Sequence, residues 1–267
     1  SLEEIAVQKA GIIKDASHVV TCAQKEEVMR VLQETAAAHG CSFSVADVKR
    51  ASRIKYGIKK QSFCYEGCRN LTITMAGQYQ IENAVLAVET VRVLGKEGFV
   101  VSEEQMRQGL LLTKWTGRFT VISQKPLFVA DGAHNEDAAA RLAESIRYYF
   151  ADKRILFIIG ILKDKEYDKI LRQTAPLAEH IITVTPPNPA RAMSGYELAK
   201  EAGAYHERVT AADSMLEAVE LSYLLAGEDK NTVIIAFGSL SILGGLIHIV
   251  EHRDMIRRDS HGKSEKN

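Results

Sequence analysis

Four runs of apolar residues, at 127–131, 154–160, 180–185 and 232–238, recur between stretches of helical periodicity, and this alternation constrains the fold more than any other feature of the chain. Runs such as "RILFIIG" and "TVIIAFG" have almost no polar alternation, which is what a strand buried on both faces requires. Helices are expected from His134, from Lys165, from Ser194, from about Ala211 and from near Leu240. Strands separated by single helices predict an α/β fold with a mostly parallel, Rossmann-like sheet covered by helices. Ligands of such sheets gather at the carboxyl ends of the strands. That rule singles out residues 131–135, 160–165, 185–191 and 238–241 as loops on one rim.

The first 114 residues have a different texture. Ser1 is placed to cap a helix with Glu3 and Glu4 in its first turn. A strand at 18–22 and a helix at 24–38, stopped by Gly40, make one β-α unit. From Ser42 to Met75 short alternating stretches, with Tyr65-Glu66-Gly67 as a turn, predict antiparallel strands. A helix over 78–94 carries Ile81, Val85, Val88 and Val91 or Arg92 on one face, and Ser102 with Gln105 forms a capping box for another at 102–112. These patterns divide the chain near Lys114 to Gly117, into domains at 1–114 and 115–255. The polar, aperiodic residues 256–267 are expected to form a disordered tail.

Composition removes several classes of function. Lys plus Arg and Asp plus Glu number 34 each, so no summed field favours nucleic acid or an anionic membrane surface. No apolar run reaches the roughly 18 residues of a membrane span. Cys22, Cys41, Cys64 and Cys68 lie in the first part of the chain with no leader ahead of them and no second Cys/His pair at zinc spacing. Reduced, structural thiols in the cytosol are the expectation.

Several motifs carry possible chemistry, each with a bland alternative. "VADGAHN" (129–135) puts Asp131, His134 and Asn135 where a strand ends and a helix begins. The N-H groups and dipole there favour an anion, and Asp131 can accept from a ribose; alternatively Asp131 and Asn135 are only caps. "KWTGRF" (114–119) sets Arg118 beside a glycine at the domain junction, suited to a bidentate phosphate clamp or to plain solvation. "GQYQIENA" (77–84) places Gln78 and Asn83 on a helix, where Asn83 can read an adenine edge or simply satisfy backbone. Lys9 in "IAVQKAGI" stands in an apolar helical setting, unusual for lysine unless it snorkels. "AFGSLSILGG" (236–245) brings Ser239 to a helix start, and Lys163, Asp164 and Lys165 form a charged run on the rim.

Taken in order, "IAVQKAGIIK", "GQYQIENA", "WTGRF", "VADGAHN", "GILKDK", "TPPNPARAMSGYELA" and "AFGSLSILGG" resemble the latter half of folylpolyglutamate synthases, bifunctional with dihydrofolate synthase in some members, of the Mur ligase superfamily. The resemblance covers residues 1 to about 250. It implies a Mur ligase C-terminal (glutamate ligase) domain preceded by the tail of the central ATPase domain. It also implies an ATP- and Mg2+-dependent amide ligase: phosphorylation of the γ-carboxylate of tetrahydrofolate or a folylpolyglutamate, then displacement of phosphate by the amine of L-glutamate. On this likeness Lys9 matches a lysine carboxylated by CO2, catalytic and a metal ligand only in that form. Asn83, Arg118 and Asp131 match ATP-contacting residues, and His134 and Ser239 match positions near the glutamate, His134 also counted as catalytic. A monomer acting in the cytoplasm is implied, with no nucleic acid or membrane partner.

This chain departs from the family pattern at Gln8, Tyr79, Thr116, Glu136 and Ser241, and carries an additional residue in "NPARA". No G-x-x-x-x-G-K-[ST] occurs in it, so the triphosphate cradle is expected in a missing N-terminal region, on the same polypeptide or as a separate chain, and the fragment is expected to be inactive alone. The rival readings are another Mur-superfamily amide ligase with a different acceptor, and a non-catalytic binding fragment.

Overall fold

The computed structural model describes residues 1–264, with side chains described as far as Arg253. The chain divides into two units: Ser1–Thr74 with Gln78–Lys114, and Met75–Gly77 with the residues from Trp115 onward.

In the first unit Ser1 caps α1 (Leu2–Ala10) through a capping box with Glu4. Only Ala6 and Ala10 of α1 are buried, packing with Val31, Val28 and Leu32 of α2 (Glu26–Ala38). Helix α2 ends at His39, and Gly40 follows at φ +62°, a left-handed conformation that costs glycine little. Strands β1 (His18–Cys22) and β2 (Ser42–Ala46) are parallel, with Val20 opposite Ser44. This corrects the antiparallel expectation for the start of 42–75. Side-chain alternation carries no information on strand direction, and α2 supplies the crossover that a parallel pair needs. Strands β3 (Ser52–Lys55), β4 (Gln61–Tyr65) and β5 (Cys68–Ile73) are antiparallel, and Glu66 and Gly67, both at positive φ, turn β4 into β5. Phe63, Tyr65, Leu71 and Ile73 meet Ile81, Val85 and Val88 of α3 (Gln80–Lys96). Gln78 therefore precedes the helix, and Val93 rather than Val91 or Arg92 is its last buried residue. The helix α4 (Glu103–Leu112) has the Ser102/Gln105 capping box.

The second unit holds a six-stranded sheet in the order β10-β9-β8-β11-β7-β6. These are β6 (Thr120–Gln124), β7 (Leu127–Ala130), β8 (Arg154–Ile159), β9 (His180–Thr183), β10 (Val209–Ala211) and β11 (Thr232–Phe237). All pair in parallel except β6, which is antiparallel to β7. The helices are α5 (Glu136–Tyr149), α6 (Tyr167–Thr174), α7 (Gly195–Ala202), α8 (Met215–Ala226) and α9 (Leu240–Ser264). Phe128, Leu156, Ile158, Ile182 and Ile234 form one apolar layer with Val219 and Tyr223 of α8 and Ile242, Leu246 and Val250 of α9. Their sequence neighbours Val129, Phe157, Ile159, Ile181 and Ile235 are equally buried, as period-2 alternation in a sheet covered on both faces demands.

The structure differs from the sequence expectation at two further places. Residues near Ala211 form the short edge strand β10, and the helix starts only at Met215, capped by Ser214. Helices α5 and α6 begin at Glu136 and Tyr167, a little later than His134 and Lys165. The disordered tail expected at 256–267 falls beyond Arg253, the last residue whose side chain is described. Residues 265–267 lie outside the described part. All four cysteines are free. Among the described residues no helix is long and apolar enough to cross a membrane.

Candidate functional site

The strand order locates a switch point. From β8 the chain moves outward to β9 and β10, whereas β6 lies on the far side of β7, and β11 fills the gap between β7 and β8. The loops after β7, β8 and β11 thus open at one place on the carboxyl rim, where α/β sheets bind ligands. Backbone bonds stitch them together: Gly238 N-H donates to the Ala133 carbonyl at 2.9 Å, and Gly160 N-H to that of Phe237 at 3.2 Å. Gly238, at φ +113°, has its Cα side against the Gly160 carbonyl, where a Cβ would come within 2.6 Å.

Arg118 sits at the apex of a tight segment on this rim. Gly117 and Phe119 both have positive φ, at +84° and +45°. For an aromatic residue that conformation is strained by about 1–3 kcal/mol, so the surroundings must enforce it. Two contacts do so. The Phe119 ring is buried against Phe150 and Tyr149, at centroid distances of 6.0 and 5.6 Å. Its N-H donates to Asp131 Oδ2 at 2.8 Å.

Asp131 is buried, and its other oxygen accepts the Ala133 N-H at 2.8 Å. The carboxylate therefore bolts the Arg118 segment to the end of β7. Asn135 caps α5 by accepting from Ala138 N-H at 2.9 Å. His134 Nδ1 lies 2.7 Å from the Gly132 carbonyl oxygen, an acceptor only, so Nδ1 carries the proton and Nε2 is the nitrogen left for a ligand. Ser239 is buried; its Oγ accepts Ser241 N-H at 3.2 Å and meets Ser241 Oγ at 2.8 Å, the pattern of a helix cap. Glu136, the departure that would set a negative charge beside an anion, is paired with Lys169 at 3.2 Å. Asp164 is held below the usual carboxylate range by hydrogen bonding from Arg191, which ties the 160–165 loop to the 185–194 loop.

The structure thus gathers Arg118, Asp131, His134 and Ser239 in the second unit, while Lys9 and Asn83 belong to the first. Lys9 is exposed on α1, which corrects the apolar setting expected for it. Residues three and four apart from it, Ala6 and Ile13, are buried, but Ile5 and Val7 face solvent, so the helix is apolar in composition without enclosing its lysine. Asn83 is exposed on α3 and donates from Nδ2 to Gln80 Oε1 at 2.9 Å. A cavity of about 360 Å³ in the first unit is lined by Val7, Lys14, Asp15 and His39 among others, and none of the candidate residues lines it. Among the described residues no three His, Cys, Asp or Glu side chains converge as a metal site. Sequence reasoning missed Phe119 and Gly132: neither is polar, and their roles are visible only once φ values and side-chain volumes are known.

Residues 117–240 match the family model of the Mur ligase, glutamate ligase domain. The chain is 32% identical over 190 residues to the dihydrofolate synthase/folylpolyglutamate synthase of Bacillus subtilis, a match covering 68% of this chain and 44% of that protein. It superimposes on folylpolyglutamate synthase of Thermotoga maritima with a TM-score of 0.73 at 30% identity, covering 94% of this chain and 58% of the other. On that of Mycobacterium tuberculosis, complexed with ADP and AMPPCP, the TM-score is 0.82 at 24% identity, covering 96% and 59%. The chain spans about half the length of these relatives.

Proposed function

Because residues 117–240 belong to the Mur ligase glutamate ligase domain family, we propose that the chain is the C-terminal portion of an ATP-dependent ligase that adds L-glutamate to the γ-carboxylate of tetrahydrofolate or a folylpolyglutamate. The observation that carries this reading is Arg118, held by a strained and doubly anchored segment at the switch point of the sheet. A fixed guanidinium there suits an ATP phosphate, since its planar fork makes two parallel bonds to phosphate oxygens. Asp131 fixes the segment and completes the nucleotide side of the rim. Asn83 meets the adenine edge with its side-chain carbonyl and remaining N-H.

His134 presents Nε2, and Ser239 a hydroxyl at the start of α9; both fit the carboxylate and amine of glutamate. When bound, ATP supplies the phosphoryl group that turns the folate γ-carboxylate into an acyl phosphate. The residues of this chain hold and orient the reactants, which is where phosphoryl-transfer catalysis mostly lies. An exposed ammonium on Lys9 is a donor and no metal ligand; carboxylated by CO2, it becomes an anionic oxygen donor suited to Mg2+. On this reading the phosphate-binding loop, for which this chain has no G-x-x-x-x-G-K-[ST] segment, is supplied by an N-terminal region on the same polypeptide or by a separate one. Four free cysteines agree with action in the cytosol.

The test joins this chain to the P-loop half of a folylpolyglutamate synthase and measures ADP formation that requires both folate and glutamate. Arg118→Ala and Lys9→Ala should each lower turnover about 10²- to 10³-fold, the usual loss of one well-placed electrostatic contact. Short-chain carboxylates should restore part of the Lys9→Ala activity. Turnover indifferent to Arg118 overturns the reading, and full activity without Lys9 overturns its carboxylation. The unjoined chain should show no turnover.

A further inference from the structure

Gly132 has no conformational reason to be glycine, because its φ lies outside the left-handed region. Space is the reason. A Cβ built on Gly132 would stand 2.5 Å from Arg118 Nη1, 2.6 Å from Leu240 Cδ2 and 3.1 Å from the Gly117 carbonyl oxygen. The first two are tips of flexible side chains, and the third is a moderately tight approach to backbone. An alanine would therefore be admitted by moving Arg118 and Leu240, with the fold retained. Gly132 N-H also donates to the Gly117 carbonyl at 2.7 Å, which holds the glycine against the Arg118 segment. The Arg118 guanidinium carbon also lies over the Trp115 ring, 5.5 Å from its centroid. Trp115 is 64% exposed, so its ring meets the cation without a structural duty in the core.

We propose that Gly132 and Trp115 are positioning residues for Arg118. The glycine leaves the volume in which the guanidinium lies, the indole limits its swing, and Asp131 fixes the backbone beneath. The arrangement explains why a residue without a side chain matters at a site of polar chemistry: filling its volume re-aims a cation that the rest of the rim holds in place. The consequence for anion binding rests on Arg118 as a phosphate ligand; the placement itself does not.

Two measurements on the full chain separate these. In nitrogen-15 spectra the Arg118 Nε-Hε signal should be shifted by the Trp115 ring current, and both Gly132→Ala and Trp115→Leu should abolish the shift. Trp115→Leu, at an exposed position, keeps the test open if Gly132→Ala folds poorly. An unmoved signal in Gly132→Ala overturns the proposal, as does its recovery in Gly132→Ala/Leu240→Ala, since the effect would then run through the leucine.

The second measurement titrates inorganic tripolyphosphate against the fluorescence of Trp115, the single tryptophan of the chain. Gly132→Ala should weaken binding roughly 10-fold, as expected for a misdirected charged hydrogen bond. In an Arg118→Met background the same change should have no further effect. An undiminished Gly132→Ala response, or an equal loss without Arg118, overturns positioning. No response in the unaltered chain, with the nitrogen-15 result intact, sinks the phosphate reading while supporting the placement.

Discussion

The two units use the same β-α vocabulary and differ in how far they close. In the second, every residue of β11 and all but the first of β8 is buried, because each of these strands has a neighbour on both edges and apolar helices on both faces. In the first, β1 pairs with β2 alone among the described strands, and of its residues only Cys22 is buried. Leu2, Ile5, Val7 and Ile12 are 41–80% exposed there, and Phe99, Val100 and Leu112 between 67% and 84%. A parallel pair is stable when both faces and edges are covered, and this one is only partly covered. Two of the seven family motifs nevertheless lie in the first unit, so a motif does not by itself mark where stability lies.

The largest expected effect separates the two cores. Phe157→Ala removes a fully buried ring that meets Phe237 edge-on at 5.1 Å, and should cost about 3–5 kcal/mol in urea unfolding. Val20→Ala, on a half-buried strand of the first unit, should cost about 1 kcal/mol or less. Equal costs would erase the contrast drawn here. Limited proteolysis tests it without mutation: the earliest cuts should fall within residues 1–114, and early cuts confined to the second unit would reverse the ranking.

Asp131→Asn is the next in size. It trades one acceptor for a donor opposite a buried N-H, at a cost of about 1–3 kcal/mol, and should speed amide exchange at Phe119 or Ala133 above that of the β11 amides. Unchanged exchange at both would show that the ring of Phe119 alone holds the segment.

A pH series sharpens the contrast further. His180 on β9 has its pKa lowered from 6.5, chiefly by burial and then by His206 and Arg208, with Glu179 opposing. Since the folded value is depressed, the unfolded state takes up the proton first. The stabilisation is complete above pH 6.5 and is lost as pH falls below it toward the folded value. His180→Gln should flatten that slope in the second unit; an unaltered slope would assign it to another group.

The smallest effect belongs to Glu136→Gln, which breaks an exposed ion pair with Lys169 and should shift stability by less than about 1 kcal/mol. A larger loss would mean that the rim depends on surface charge, contrary to the buried anchors described above.

Much of the second unit was legible because its strands are continuous apolar runs, a signal that survives without knowing their partners. The edge strands β6 and β10 were not: each makes one pairing, and three residues at β10 are too few for a period to show. In the first unit the direction of β2 could not be read, since alternation is the same in parallel and antiparallel pairs. The site was half legible. Arg118, Asp131, His134 and Ser239 are polar residues at strand ends, where the topology rule points. The burial of the Asp131 carboxylate, the strain at Phe119 and the volume kept empty at Gly132 are relations between segments, and no single segment announces them. Lys9 misled for the opposite reason, since the apolar residues around it in sequence turn partly to solvent.

The position of β11 has a consequence for how the second unit comes into being. It is the last of the described strands in chain order yet an interior one, hydrogen-bonded to β7 on one side and β8 on the other. A nascent chain that stops short of Thr232 would have no reduced sheet to settle into, only two strand groups, β6-β7 and β8-β9-β10, with a slot between them. Closure waits for contacts of long sequence separation, which are slow to form and leave apolar edges bare in the meantime. The same late event delivers Gly238 and Ser239 to the rim, so the sheet and its binding edge should be completed in one step.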